Sequence, residues 1–334
     1  MNKFFHLSKR QRLTMFVIVI VIVSGVSTLM FFFLQRGNRT PDIEVLSINE
    51  QKNVWGQNIE TMGASQAYEK WKKENAGVKR ANGHDGAHIF GELLFDTLGL
   101  SAFSVCDGAF DSGCYHGFLG KAVNKIGLSV LPNLQEGCVQ KWGKYSGGCE
   151  HGIGHGVIGY LGLNHLLEAL QACDMIPFHV PIGGCSGGVF MEYNFRTMGE
   201  NRNRPVDERD VHAPCSDLPK QYWVSCYFEQ TQWWVAVFPE DYIKVGNLCD
   251  SVKEKEAKTA CFRGIGNIAA ANSEFDSAIT IKNCKALPSQ DAEMACRREA
   301  SGTFFDRPEH KAKAYKVCYN EQLKNSAQCE DVKL

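Results

Sequence analysis

No two of the chain's cysteines stand three residues apart, and that absence removes two common readings of a cysteine-rich sequence. Without a CxxC pair there is neither the ligand spacing of a zinc ribbon nor the redox pair of a thioredoxin-like domain. Without CxxCH there is no covalent haem of the c type. P-loop and HExxH patterns are missing too, and with them the signatures of phosphate cradling and zincin catalysis. Neither sign of charge dominates, since 36 basic residues face 37 acidic ones. Six of the basic residues precede the first acid, Asp42, so the remainder carries a net charge of about −7. A body of that sign offers no basic footprint for nucleic acid. At 44% hydrophobic and 11% aromatic, the chain can bury a real core and is no disordered polymer.

Charge is also missing from one long run. Residues Leu13 to Leu34 form 22 positions without a charged side chain. A membrane-spanning helix needs about 20 apolar residues, more than the apolar region of a cleaved signal peptide offers. The run ends in Phe31-Phe-Phe-Leu-Gln-Arg36, which lacks the small residues of a cleavage site. Four basic residues stand on its amino-terminal side, against Arg36 and Arg39 on the other. By the positive-inside bias these features predict a cytoplasmic tail over 1–12, a transmembrane anchor over 13–34 and an extracytoplasmic body. A stalk with one lead-in helix is expected over 35–80, and the body over 81–334.

What is present in quantity is cysteine at regular spacing. The fourteen positions are Cys106, Cys114, Cys138, Cys149, Cys173, Cys185, Cys215, Cys226, Cys249, Cys261, Cys284, Cys296, Cys318 and Cys329. Taken as neighbours they form seven pairs, separated by 8, 11, 12, 11, 12, 12 and 11 residues. The second members follow one another at 35, 36, 41, 35, 35 and 33 residues, the mark of a stacked repeat architecture. Around each pair the sequence reads as helix, short turn, helix. Leu163 to Cys173 carries leucines three and four apart before Pro177, and Pro288 opens a helix that contains Cys296. A separation of 11 or 12 across a tight antiparallel turn sets two cysteines side by side, as disulfide geometry requires. The expectation is an all-α chain of helix-turn-helix repeats about 35 residues long, each stapled by one disulfide. As an architecture it resembles the α-solenoids of the tetratricopeptide, Sel1-like and HEAT classes, although none of their residue signatures is present.

The candidate chemistry lies in histidine. Five of the ten histidines fall in His84-Asp-Gly-Ala-His88, Cys114-Tyr-His116 and Cys149-Glu-His151-Gly-Ile-Gly-His155. Two of these segments are HxxxH, which on a helix puts two imidazoles on one face, one turn apart. Counting about 100° per residue from the cysteine, His116 and His151 stand about 200° round and His155 about 240° round. They therefore point away from the disulfide, onto an inner wall. His84 and His88 fit the same register with Asn82 in the cysteine's place. Imidazoles so gathered suit copper, iron or zinc. Glu92 is a candidate oxygen ligand, and Asp85 and Glu150 are candidates for orienting imidazoles from outside. Gly117, Gly152, Gly154 and Gly156 crowd these histidines, and serve either close helix packing or the approach of a ligand.

The same register further along the chain reaches an aromatic stretch and then Arg263 and Arg298, which could contact an anionic ligand group. Trp233 and Trp234 are expected in the core, and Glu192 and Glu229 fall on the cysteine-facing side. Two functions follow from this reading. One is a His-rich metal protein, with redox or hydrolytic catalysis at the ion. The other is a non-catalytic scaffold whose inner wall takes a protein, a peptide or an envelope component.

Overall fold

The computed structural model describes residues 47–78, 80–177, 180–198, 204, 209–239, 241–307 and 309–319. The chain divides into two units, Met1–Gln51 and Lys52–Leu334. Among the described residues there are fourteen α-helices, several 3-10 turns and no strand. They are α1 (Ile48–Met62), α2 (Ala64–Asn75), α3 (Arg80–Leu98), α4 (Gly113–Ile126), α5 (Leu131–Trp142), α6 (Gly147–Leu161) and α7 (Leu166–Cys173). There follow α8 (Cys185–Met198), α9 (Trp223–Val237), α10 (Tyr242–Ser251), α11 (Lys255–Asn272), α12 (Ser277–Lys285), α13 (Gln290–Phe305) and α14 (Lys311–Cys318).

The local sequence accounts for these boundaries. Asp241, Glu254, Asp276 and Ser289 each cap a helix by accepting backbone N–H groups of its first turn. Gly127 and Gly162, 35 residues apart, end α4 and α6 at φ 85° and 90°. Only glycine takes that left-handed turn without cost, so the repeat is punctuated as well as stapled.

Neighbouring cysteines pair as the spacing requires. Cys106–Cys114, Cys138–Cys149, Cys173–Cys185, Cys215–Cys226, Cys249–Cys261 and Cys284–Cys296 are disulfides, with Cα separations of 5.4 to 5.7 Å. Cys318 is disulfide-bonded as well, and Cys329 lies outside the described residues. In four pairs a cysteine in a short first helix meets one in a longer second helix. In the two others the first helix is replaced by irregular chain. Cys106 follows the 3-10 segment Gly99–Val105, and Cys215 opens the 3-10 turn Cys215–Asp217.

The second helices pack on one another in order, α4 on α6, α6 on α8, α8 on α9, α9 on α11 and α11 on α13, with α3 preceding α4 in the row. Glycine makes the contacts close. A side chain on Gly91 would overlap the backbone of Cys114, and one on Gly117 the backbone of His88, so α3 and α4 meet through a reciprocal pair. Gly154 and Gly188 play the same parts between α6 and α8. Close packing is thus the role of Gly117 and Gly154. The core between the layers holds Phe118, Leu119, Ile153, Val157, Val189 and Phe190, together with the fully buried Trp233 and Trp234.

Two expectations change. The lead-in segment forms two helices, α1 and α2, broken at Gly63 (φ 84°), and its Trp55, Tyr68 and Trp71 are buried in the same core. The single-pass membrane location with a cytoplasmic amino terminus is corrected. Among the described residues no helix is long and apolar enough to cross a membrane, because charged side chains interrupt even the longest, α3. The apolar run 13–34 lies outside the described residues. The disulfides point to an oxidising environment, extracellular or secreted.

Candidate metal centre

The five histidines of the amino-terminal repeats come together. α3 carries His84 and His88, α4 carries His116, and α6 carries His151 and His155. His116 is the hub. Its ring centroid is 5.3 Å from those of His84 and of His88, 4.5 Å from that of His155 and 6.0 Å from that of His151. The close approach of α3 to α4 at Gly91 and Gly117 brings the first three rings this near. Gly152 makes the same room on α6, since a side chain there would stand 3.2 Å from the His116 ring and closer still to Leu119.

His84, His88 and His116 each offer one ring nitrogen such that all three lie within 4.8 Å of one another. His84 Nδ1 donates to the Phe110 carbonyl at 2.8 Å, which fixes its tautomer and leaves the Nε2 lone pair facing inward. His88 Nε2 lies 3.0 Å from that His84 Nε2. Two nitrogens bound to one ion at 2.0–2.1 Å are about 3 Å apart, so this spacing needs little change on metal binding. His116 is 8% exposed, and its Nδ1 has no hydrogen-bond partner.

Electrostatics favour neutral rings. Burial, with the neighbouring His84 and His155, pulls His88 down to about 3 against a smaller opposing pull from Glu192. Burial and the four surrounding histidines hold His116 well below its ordinary value. His151 is held at about 3, again by burial first and His155 second. Neutral imidazole is the metal-binding form, and a group of buried lone pairs without a cation is the arrangement a metal ion satisfies. The donor set therefore fits a transition metal.

On α6, His155 Nδ1 donates to Glu192 Oε2 of α8 at 2.9 Å, leaving Nε2 buried and without a partner. Burial would raise the Glu192 carboxyl, but the His155 hydrogen bond and the charges of His155, Arg196 and His88 hold it below the usual range. His151 Nε2 faces Met191 Sδ at 3.3 Å. Glu229 of α9 is 1% exposed, and Gly187 stands between it and His151. Burial, with the nearby Glu299, pushes Glu229 up to about 8. Helical register assigned Glu192 and Glu229 to the disulfide side. The signal that could have found Glu192 is its place one helical turn beyond Gly188, the residue that packs α8 on α6.

Other candidates stand elsewhere. Glu92 pairs with Lys52 at 2.8 Å, and Glu150 accepts from Ser146 Oγ at 2.9 Å, so each has a partner other than an imidazole. Asp85 is exposed. Arg263 and Arg298 are on α11 and α13, and Arg263 Nε is 2.7 Å from Glu299. Gly184-Cys-Ser-Gly-Gly188 spells GxSxG. Ser186 lies buried at the start of α8 with no strand before it among the described residues, which is not the strand–turn–helix setting of a hydrolase nucleophile.

Comparison with family models, with curated proteins and with solved structures finds no match to this chain. The reading of the site rests on its own geometry.

Proposed function

We propose that this protein binds a transition metal (copper, iron or zinc) through the histidines of its amino-terminal repeats, on an α-solenoid scaffold outside the reducing cytosol. The observation that carries the reading is the His84–His88–His116 triad, three nitrogens from two helices within 4.8 Å of one another. Structural histidines at helix starts are ordinarily satisfied by backbone. Here three buried ring nitrogens, on His116, His151 and His155, have no hydrogen-bond partner. An ion in this setting could serve redox or hydrolytic chemistry. Arg263 and Arg298 are read as contacts for an anionic group of the substrate or ligand.

The test is the metal content of the full-length oxidised protein, measured by elemental mass spectrometry beside a His84→Gln/His88→Gln variant. Stoichiometric metal in the parent and its loss from a variant with an unchanged circular dichroism spectrum is the expected result. A folded parent that takes up none of copper, iron or zinc would overturn the reading and leave the non-catalytic scaffold in its place.

A further inference from the structure

We propose that His151, His155 and Met191 form a second, softer subsite beside the triad, and that this subsite holds cuprous copper. The proposal builds on the metal-binding reading above and adds a site, a ligand outside the histidine set and a choice of metal.

Three observations meet here. First, His151 Nε2 and Met191 Sδ are 3.3 Å apart, on α6 and α8. An imidazole nitrogen and a sulfur bound to one ion at about 2.0 and 2.3 Å stand about 3.0–3.5 Å from each other, so the pair is already at ligand spacing. Second, His155 presents a buried Nε2 with no partner, because its Nδ1 is engaged by Glu192 at 2.9 Å. A carboxylate that takes the far N–H of an imidazole fixes the ring and raises its basicity, the usual arrangement behind a metal-bound histidine. The His155 side chain is 10% exposed, so that lone pair has no water to face. Third, the His151 and His155 rings are 4.9 Å apart, one helical turn from each other on α6.

The ligand types choose the metal. A thioether is a soft, uncharged donor that suits Cu(I) and is a poor ligand for Zn(II) or Fe(II). Charge points the same way. Two imidazoles and a thioether bring no charge of their own, and Glu192 behind His155 supplies one negative charge. That charge is shared with the half-buried Arg196, 3.8 Å away, so an ion of lower charge leaves the smaller net charge at a largely buried place, where the cost grows steeply. Met191 is half-buried, which leaves the subsite a way in. The triad, all imidazole, has no such preference for a monovalent ion.

The full-length apo protein would be titrated anaerobically with Cu(I), using ascorbate and a chromophoric competing chelator, and separately with Zn(II). Met191→Leu, which conserves volume, would be run in parallel with circular dichroism as the folding check. The expected result is two Cu(I) bound to the parent. The variant should bind one, or bind the second at least tenfold more weakly, with Zn(II) uptake unchanged. X-ray absorption of the copper-loaded parent should show a sulfur neighbour that Met191→Leu removes. Met191→Leu binding both copper ions at parental affinity would overturn the subsite, as would a copper-loaded parent without a sulfur neighbour. Either result would leave the triad standing. A parent that binds neither Cu(I) nor Zn(II) would overturn both readings together.

Discussion

Two glycines of α6, five residues apart, should respond to the same substitution with opposite signs. Alanine at Gly159, which is exposed and has nothing within 4 Å of a would-be Cβ, gains helix propensity alone. That gain is about 1 kcal/mol. Alanine at Gly154 receives the same gain, but its methyl would overlap the carbonyl of Cys185 and stand 2.8 Å from the Val189 nitrogen. Both obstacles are backbone and cannot rotate aside, so α6 and α8 must separate. Overpacking of this kind costs about 1–3 kcal/mol, and a rigid obstacle puts it at the upper end. The net expectation is a loss of about 2 kcal/mol for Gly154→Ala and a gain of about 1 kcal/mol for Gly159→Ala. The difference, about 3 kcal/mol, is readable in guanidinium unfolding followed by the buried tryptophans. Equal shifts of the two variants in the same direction would refute the packing role assigned to Gly154.

Acid should destabilise the metal-free protein above the usual carboxylate range, with protonation of the buried Glu229, raised to about 8, offsetting part of the loss. His88 and His151 sit at about 3 in the folded chain and near 6.5 when unfolded, so the unfolded state binds more protons as pH falls below 6.5. Their contribution is complete above that value and declines toward pH 3, by roughly 2 kcal/mol per histidine at pH 5. Denaturation midpoints that are equal at pH 7 and pH 5 would exclude this. Glu192→Gln should keep the fold yet weaken the ion held by His155 at least tenfold, visible in a competition titration. Replacing Cys284 and Cys296 together by serine should cost about 3 kcal/mol and speed amide exchange in α12 and α13 before other helices. Uniform acceleration across the chain would speak against separable repeats.

The disulfide pairing was legible because its cause is local. Eleven or twelve residues across an antiparallel turn have few other partners within reach. The gathering of the five histidines was legible for a similar reason, since 100° per residue is a property of one helix and needs no neighbour. Glu192 was not. Its angle on α8, taken alone, points toward Cys185, yet it reaches His155 because α8 approaches α6 closely at Gly188 and a glutamate side chain spans the remaining gap. A helical wheel cannot express a relation between two helices. The support of His84 was illegible for another reason. Its partner is the backbone carbonyl of Phe110, in a run of three left-handed residues, Phe110, Asp111 and Ser112, none of them glycine. Carbonyls leave no mark in a sequence, and that turn carries no glycine to announce it. The 3-10 segments in place of two first helices likewise follow from how Cys106 and Cys215 are delivered, which cysteine spacing does not specify.

Each of the six described bridges joins a cysteine to the next one in the chain. During synthesis into an oxidising compartment, every second cysteine therefore emerges to find its partner already present and unclaimed. The first thiol waits for only 8 to 12 further residues, about half a second to two seconds at ordinary elongation rates. Oxidation in order of appearance is then also the correct order. A chain with fourteen cysteines can mature one staple at a time, without the long search among wrong pairings that such a number would otherwise impose.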